Sequence, residues 1–323
     1  MNGTDMTPKV SVCVVTYNQE RYIAKCLQSI VDQETDFPFE VIVGDDASTD
    51  GTRAIVRDFA ERYPGKVTAV LHETNVGPTQ NYLSVHNLAR GAYVAHVDGD
   101  DYCLPGKLAR LASHLDQQPD CRIAWHRMII LNERGQTAVG MPLVPVSNFI
   151  ASERLTAADL AKYYGLTGCH SGSMYRRAAR KIWTTDDEIL DYFLTLSFCI
   201  DGGYASYIDE PYGVYRFFST DITLTKVKGA MAVGLGKLGM MRQFLASNPE
   251  LSRAFAAQCL LEILIRAYFG YPLKREYWKM FLACRRIPLP SDLWLIGRVF
   301  MANRNTRLRA AFESLPPSQS ALV

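Results

Sequence analysis

YVAHVDGDD, residues 93–101, couples a short apolar run to an acidic turn, and its reading decides the fold. The run Tyr93–Val97 has the length and β-branched content of a buried strand, and Asp98-Gly99-Asp100-Asp101 ends it at once. Working back toward the N-terminus, the same pattern recurs three times. VSVCVV at 10–15 ends in Thr16-Tyr17-Asn18. Phe39 to Val43 ends in Gly44-Asp45-Asp46-Ala47-Ser48-Thr49-Asp50-Gly51. Val67–Leu71 leads into Asn75-Val76-Gly77-Pro78. Between these runs lie helical patterns. Tyr22, Ile23, Cys26, Leu27, Ile30 and Val31 share one face, Ile55, Phe59, Ala60 and Tyr63 a second, and Leu83 and Leu88 belong to a third. Strand and helix alternating at short spacing predict an α/β fold, a Rossmann-like, mostly parallel sheet covered by helices on both faces. In such sheets ligands gather at the carboxyl ends of the strands, where the polar clusters of this chain fall.

Toward the C-terminus the pattern continues with a helix from about Leu104, a strand at Ile123–Leu131 and a less regular region to about Thr225. Helices follow at 229–247, 250–269, 273–285 and 291–312, separated by Pro249, Pro272, Pro288 and Pro290. The predicted division is an α/β domain at 1–225 and a basic helical extension at 226–323. Gly234-Leu235-Gly236-Lys237-Leu238-Gly239 has the spacing GxGxxG. It follows no strand and lies in no βαβ unit, so it reads as a glycine-rich helix.

The 323 residues are 48% hydrophobic, enough for a sizeable core. The net charge of +2 hides an asymmetry. From Lys226 onward there are 15 Lys/Arg against five Asp/Glu, whereas residues 1–225 carry 20 against 28. The basic half points to an anionic surface or ligand. Eight cysteines occur singly with no metal-ligand spacing, which favours a reducing compartment, and Cys13 and Cys26 read as core residues. No leader peptide and no apolar run of about 20 residues is visible, so neither secretion nor a membrane span is expected. The sequon Asn2-Gly3-Thr4 lies in a leader that reads as disordered. The aromatics sit at helical core spacing and no recognition motif appears, which argues against nucleic acid.

Carboxylates gather at the strand ends: Asp45 and Asp46 after the second run, Asp98, Asp100 and Asp101 after the fourth. Gly99 between two aspartates lets the chain turn so that both face one ligand. Such hard oxygens suit Mg²⁺ or Mn²⁺ bridging to phosphate. An isolated DGDD is an ordinary turn; its place after an apolar strand, beside the other clusters, gives it weight.

VSVCVVTYNQERYIAKCLQSI, VIVGDDASTDGT, NVGP, GAYVAHVDGDD, DYFLTL and YIDEPYGVYR, in this order over residues 8–217, resemble the family 2 glycosyltransferases of GT-A fold. The resemblance implies an inverting transfer from a nucleoside-diphosphate sugar, with UDP or dTDP as the nucleotide, to an acceptor hydroxyl. It implies that Thr16, Tyr17 and Asn18 line the nucleotide pocket, with Tyr17 near the base. Asp45 or Asp46 binds the base or ribose, Asp45 being favoured. Asp98 and Gly99 face the donor, Asp100 holds the metal, and Asp101 either assists or caps a helix near Pro105. Tyr215 and Arg216 lie near a loop that closes over the diphosphate. Asp191 matches the general base, which takes the proton from the acceptor hydroxyl. Asp186, Asp187 and Glu188 make the same stretch readable as a solvated helix start, and Asp187 is the next candidate. Two positions depart from the family: Thr79-Gln80-Asn81 stands where an Arg is common, and Phe217-Phe218 where a His is common. These leave sugar choice and diphosphate clamping open.

Gly168 to Arg177 resembles the segment near the acceptor. His170 reads as an acceptor contact or as a structural hydrogen-bonding residue. Arg176, Arg177, Arg180 and Lys181 read as phosphate ligands or as a solvated helix face. The C-terminal helices carry apolar faces with a basic border, which fit a peripheral membrane contact or packing on the catalytic domain or in a homodimer. The expected acceptor is a saccharide, lipid-linked in surface polysaccharide assembly, and the expected location is cytoplasmic, at the inner membrane face if the helices touch lipid. Two rivals stay open: a sugar-nucleotide pyrophosphorylase, which should show a glycine-rich loop where TYNQE stands, and a catalytically silent nucleotide-sugar-binding protein.

Overall fold

Runs of β-branched residues bounded by Gly, Asp and Pro form the first four strands: β1 (Val10–Thr16), β2 (Phe39–Asp45), β3 (Val67–Leu71) and β4 (Tyr93–Asp98). The computed structural model describes residues 7–132, 135, 137–140, 154–162, 167–180, 191–217, 227–270 and 273–305. These strands pair in parallel in the order β3-β2-β1-β4. Alternation along each strand sends side chains to opposite faces. Val10, Val12 and Val14 of β1 with Ala95 and Val97 of β4 form one buried layer, while Cys13 and Val94 belong to another.

The first layer is covered by α1 (Ile23–Val31), α2 (Thr52–Arg62) and α4 (Lys107–Gln117). Ile23, Cys26, Leu27 and Ile30 supply the buried stripe of α1 at helical spacing, and Leu108, Leu111 and Leu115 that of α4. On the other face lie α3 (Pro78–Leu88), α5 (Ala157–Lys162) and α6 (Asp191–Cys199).

The less regular region expected after Leu131 adds further strands to the sheet, beside the strand expected at Ile123–Leu131. Beyond β4 come β9 (Ser173–Arg176), β6 (Cys121–Asn132), β10 (Tyr204–Phe217) and β5 (Tyr102–Cys103), with β7 (Thr137–Gly140) on β6 and β8 (Arg154–Leu155) on β10. β9 runs antiparallel to both neighbours, so the whole sheet is mixed. Pro211 sits in β10 where the register against β6 slips, between Ile208 and Gly213. Irregularities of this kind accommodate a proline inside a sheet.

The C-terminal helices fall at their expected positions, α7 (Val227–Ser247), α8 (Ser252–Phe269), α9 (Arg275–Ala283) and α10 (Pro290–Asn305), while 306–312 of the last expected helix lie outside the described residues. The GxGxxG stretch lies inside α7, as its helical reading required. Met241, Phe244, Phe255, Cys259 and Met280 join the same core cluster as Val94, Tyr175 and Phe193. Burying a side chain the size of Phe244 contributes roughly 1.5–3 kcal/mol relative to exposure. The helices after residue 226 therefore share a core with the sheet. All eight cysteines are buried and none forms a disulfide. No helix among the described residues is long and apolar enough to cross a membrane.

Candidate functional site

Register brings three strand ends into line: Thr16 lies opposite Asp45, and Val15 opposite Asp98. β1 has β2 on one side and β4 on the other, so this is the point where the strand order reverses, the usual ligand crevice of such sheets. Gly99 and Asp46 are tied to β1 from either side, the Gly99 amide to Val15 O at 2.9 Å and the Asp46 amide to Thr16 O at 3.1 Å. A Cβ on Gly99 would come within 2.5 Å of Gln19 Oε1 and 2.8 Å of Thr16 Cβ, so the close turn excludes any side chain there.

Asp98 is fixed from three directions. Its Oδ1 lies 3.1 Å from His96 Nε2, its Oδ2 accepts the Ser171 hydroxyl at 2.9 Å, and its amide donates to Ser171 Oγ at 2.9 Å. His96 Nδ1 is joined to His86 Nε2 at 2.9 Å, and His86 Nδ1 to the Tyr175 hydroxyl at 2.7 Å. Buried Lys107 donates to Ser171 O at 2.6 Å. Against the burial that favours its acid form, His96, His170 and Ser171 hold the Asp98 carboxyl below the usual carboxylate range. Burial and the neighbouring His96 push His86 far below the usual imidazole value, so it is neutral. The carboxylate is thus ionised and oriented while 36% exposed.

Asp101 is buried. Its Oδ1 accepts the Arg216 amide at 2.9 Å, which couples the turn to β10. The helix after Pro105 starts at Lys107 with Gly106 as its N-cap and no side-chain cap, so the capping role expected of Asp101 is corrected. Burial, followed by the charges of Asp100 and Asp98, raises its carboxyl well above the usual value. Arg216 donates to Asp100 O at 3.2 Å and sits 4.9 Å from the Tyr22 ring and 5.0 Å from that of Tyr102. Lys25, which no motif signalled, lies 3.8 Å from the same Tyr102 ring. Two cations therefore flank the acidic turn.

The two aspartates after β2 separate cleanly. Both Asp46 oxygens accept backbone amides, Val76 at 2.7 Å and Gly77 at 3.0 Å, holding the loop before α3. Asp45 accepts the Ser48 amide through Oδ2 at 3.3 Å, while its buried Oδ1 has no hydrogen-bond partner. Asn18 Oδ1 receives the Thr49 amide at 2.8 Å and thereby ties the loop after β1 to that after β2. Thr16 Oγ1 donates to Gln19 Oε1 at 2.8 Å. Tyr17 remains 47% exposed at the rim.

Asp191 opens α6, which packs on β6 and α5; its side chain, like Asp186, Asp187 and Glu188, lies outside the described residues. The phosphate-ligand reading of the Arg176 group is corrected for Arg176, whose guanidinium is committed to the backbone, while Arg177 is exposed with its Nε on a carbonyl. Arg176 donates to the carbonyls of Leu115, Gln118 and Cys121, and Arg177 to that of Gly91. Arg176 pairs with Tyr93, at the end of β4 opposite Asp98. Lys181 lies outside the described residues.

His96, Asp98 and His170 place ligand atoms within 4.8 Å of one another. The His96 and His170 rings, however, stack at 3.8 Å and 17°. Parallel rings send their lone pairs side by side instead of to one point, and both His96 nitrogens are already bonded, so the trio reads as a stack. Asp100, half-buried beside two other carboxylates, is the better-fitting cation ligand, since their mutual repulsion is what a cation would relieve. His86, His96, Ser171 and Lys107 escaped the sequence reading. The one available signal was His96, two residues before Asp98 and hence on its side of the strand.

A family model described as "Glycosyl transferase family 2" matches residues 11–183, more than half of the chain. An uncharacterised Mycobacterium tuberculosis protein is 31% identical over 64% of this chain and 58% of its own length, so the chain spans less than two-thirds of that relative. A Bacillus subtilis protein, TuaG, provisionally named for teichuronic acid biosynthesis as a glycosyltransferase, is 28% identical over 70% of this chain and 86% of its own. The crystal structure of S. aureus TarS 1–349 in complex with UDP-GlcNAc covers 91% of this chain and 83% of that one, with TM-score 0.58 and 23% identity, and shares the fold.

Proposed function

Because the chain belongs to glycosyl transferase family 2, we propose that this glycosyltransferase moves a sugar from a UDP or dTDP donor to an acceptor hydroxyl with inversion at the anomeric carbon. The observation that carries the reading is the line of strand ends: Thr16, Asp45 and Asp98 side by side at the switch point, with an ionised Asp98 and a buried Asp45 oxygen that has no hydrogen-bond partner. TarS, of like fold, is named in complex with UDP-GlcNAc, and TuaG is named for a surface polymer.

In this mechanism Tyr17 gives the base an exposed aromatic face, and Asp45 Oδ1 accepts a hydrogen bond from base or ribose. Asp98, preset by His96 and Ser171, accepts from a donor hydroxyl without reorganising. Asp100 would hold Mg²⁺ or Mn²⁺, which offsets charge on the departing diphosphate. Arg216 lies beside that position and adds positive charge to it. Asp191 takes the acceptor proton as the hydroxyl oxygen attacks the anomeric carbon. Asn18 and Asp46 act indirectly, by fixing the loops that frame the pocket. The proposed acceptor is a lipid-linked saccharide of a surface polysaccharide, met at the inner face of the membrane. The proposed division into a catalytic part at 1–225 and a basic part at 226–323 concerns surface roles, since the two share a core.

Thermal unfolding with a panel of nucleotides and nucleotide sugars plus Mn²⁺ tests the donor. A binder at 100 times its Kd stabilises by about 2.7 kcal/mol, and silence across the panel would sink the proposal. Asp191→Asn should retain donor binding and lower transfer about 10²–10⁴-fold; an unchanged rate removes Asp191 from the chemistry.

A further inference from the structure

Large apolar side chains exposed to solvent are distributed unevenly. Of the twelve among the described residues, nine fall between Leu264 and Trp294. The most exposed are Ile287 at 82%, Leu282 at 70% and Trp294 at 59%, with Leu289 and Leu293 beside them on the turn from α9 into α10. A patch of this kind on a folded chain marks an interaction surface.

The turn is built, and its apolar groups are held outward. Cys284 closes α9 with its amide on Met280 O, and Arg285 adopts a left-handed φ of 51°. Buried Asp292 accepts the Leu289 amide through Oδ2 at 2.9 Å and pairs with Lys162 of α5 through Oδ1 at 3.2 Å. Pinned at both ends, the segment presents Ile287 and Leu289 to solvent without fraying.

Charge identifies the occupant. Residues 273–298 contain six Lys/Arg against Glu276 and Asp292. Arg275, Lys279, Arg285, Arg286 and Arg298 are exposed, while Asp292 is buried and Glu276 half-buried. Arg298 lies 4.8 Å from the Trp294 ring, joining the basic and aromatic parts of the surface. A two-fold contact between two copies would set this cationic rim against itself. Nucleic acid would meet the cations and leave Leu282, Ile287 and Leu293 in water. An anionic bilayer satisfies both, with headgroups against the arginines and the acyl boundary around Leu, Ile and Trp.

We infer that the turn between α9 and α10, with the exposed faces flanking it, docks the protein on an anionic lipid bilayer. The inference extends the proposed work on a lipid-linked acceptor, and its test reads lipid binding apart from sugar transfer. Tag-free full-length protein is floated with phosphatidylcholine vesicles, with and without phosphatidylglycerol, and no donor or acceptor. Flotation is expected on the anionic vesicles, with a blue shift of tryptophan emission that Trp294→Phe diminishes and a fall in binding at raised salt. Leu282→Ser/Ile287→Asp and, separately, Arg285→Glu/Arg286→Glu should each weaken binding about tenfold or more, with circular dichroism and nucleotide-induced thermal shifts unchanged. Wild-type protein that stays with the non-floating fraction on anionic vesicles overturns the inference. So do variants that float like wild type, and so does a concentration-dependent dimer that Ile287→Asp dissolves while vesicle binding is absent.

Discussion

At the carboxyl end of β4 the carboxylate and amide of Asp98 are engaged by His96 and Ser171, whereas on the turn between α9 and α10 large apolar groups are exposed to water. The first region is a set of partly buried hydrogen bonds built before any ligand arrives, which suits a small charged molecule recognised atom by atom. The second offers area and charge without fixed pairing, which suits a broad, fluid partner. On the two proposals one chain carries two modes of recognition, and substitutions in each should fail differently. Asp100→Ala tests the first most severely. Metal-stimulated transfer should fall at least 10²-fold, yet the midpoint of thermal unfolding should hold or rise, because the Asp100 charge is among the forces pushing the buried Asp101 carboxyl upward. A large loss of stability would mean that the turn is structural instead.

The next largest effect lies one layer beneath. His86 touches no proposed ligand position, but it bonds both His96 and the Tyr175 hydroxyl in the core. His86→Leu leaves two buried polar atoms unpaired, at about 1–3 kcal/mol each, so urea unfolding should show a loss of about 3 kcal/mol. Donor KM should rise as Asp98 loses its preset orientation, and His86→Gln should recover part of both. An unchanged KM with the stability loss intact would confine the histidines to a structural role.

The parallel half of the sheet is legible in the sequence because its strands are short apolar runs that stop at Gly, Asp or Asn, and the carboxyl ends follow. β10 is hidden because Asp209-Glu210-Pro211 looks like the end of an element, and only the register slip against β6 lets the strand continue. The sequence offers Asp45 and Asp46 as near equals. What separates them is the loop at Val76–Gly77, about 30 residues away, which takes up Asp46 and leaves Asp45 Oδ1 unbonded. The imidazole chain is illegible for the same reason: α3 packs on β1 and β2, which carries His86 to His96 of the neighbouring β4, and a buried histidine looks like any other in a sequence.

Charge inside the helical layer behaves unlike charge on its surface. Lys237 of α7 and Glu262 of α8 pair at 2.9 Å, with Arg266 3.8 Å from the same carboxylate. Burial works against the Glu262 anion, but the charge and hydrogen bond of Lys237 outweigh it and hold the carboxyl below its usual value. Lys237→Met should cost about 2 kcal/mol at neutral pH, less than for an isolated buried pair because Arg266 remains. Because Glu262 is depressed in the folded state, its contribution is full above the unfolded carboxyl value of 4.5 and disappears as pH falls through the folded one. The gap between wild type and variant in urea unfolding should therefore narrow in acid. A gap independent of pH would assign the loss to packing.

The smallest effect is the sharpest test of the contrast. Ile287 is 82% exposed, so Ile287→Ser removes apolar surface that water already covers. Its effect on unfolding should stay within about 0.5 kcal/mol. A larger loss would mean that Ile287 packs against part of this chain, and the turn would then belong to the core instead of to a partner. If stability holds while vesicle binding weakens, the residue contributes to association and not to the fold. That outcome is the reverse of the one expected for His86, where folding and ligand binding fall together because the same hydrogen bonds serve both.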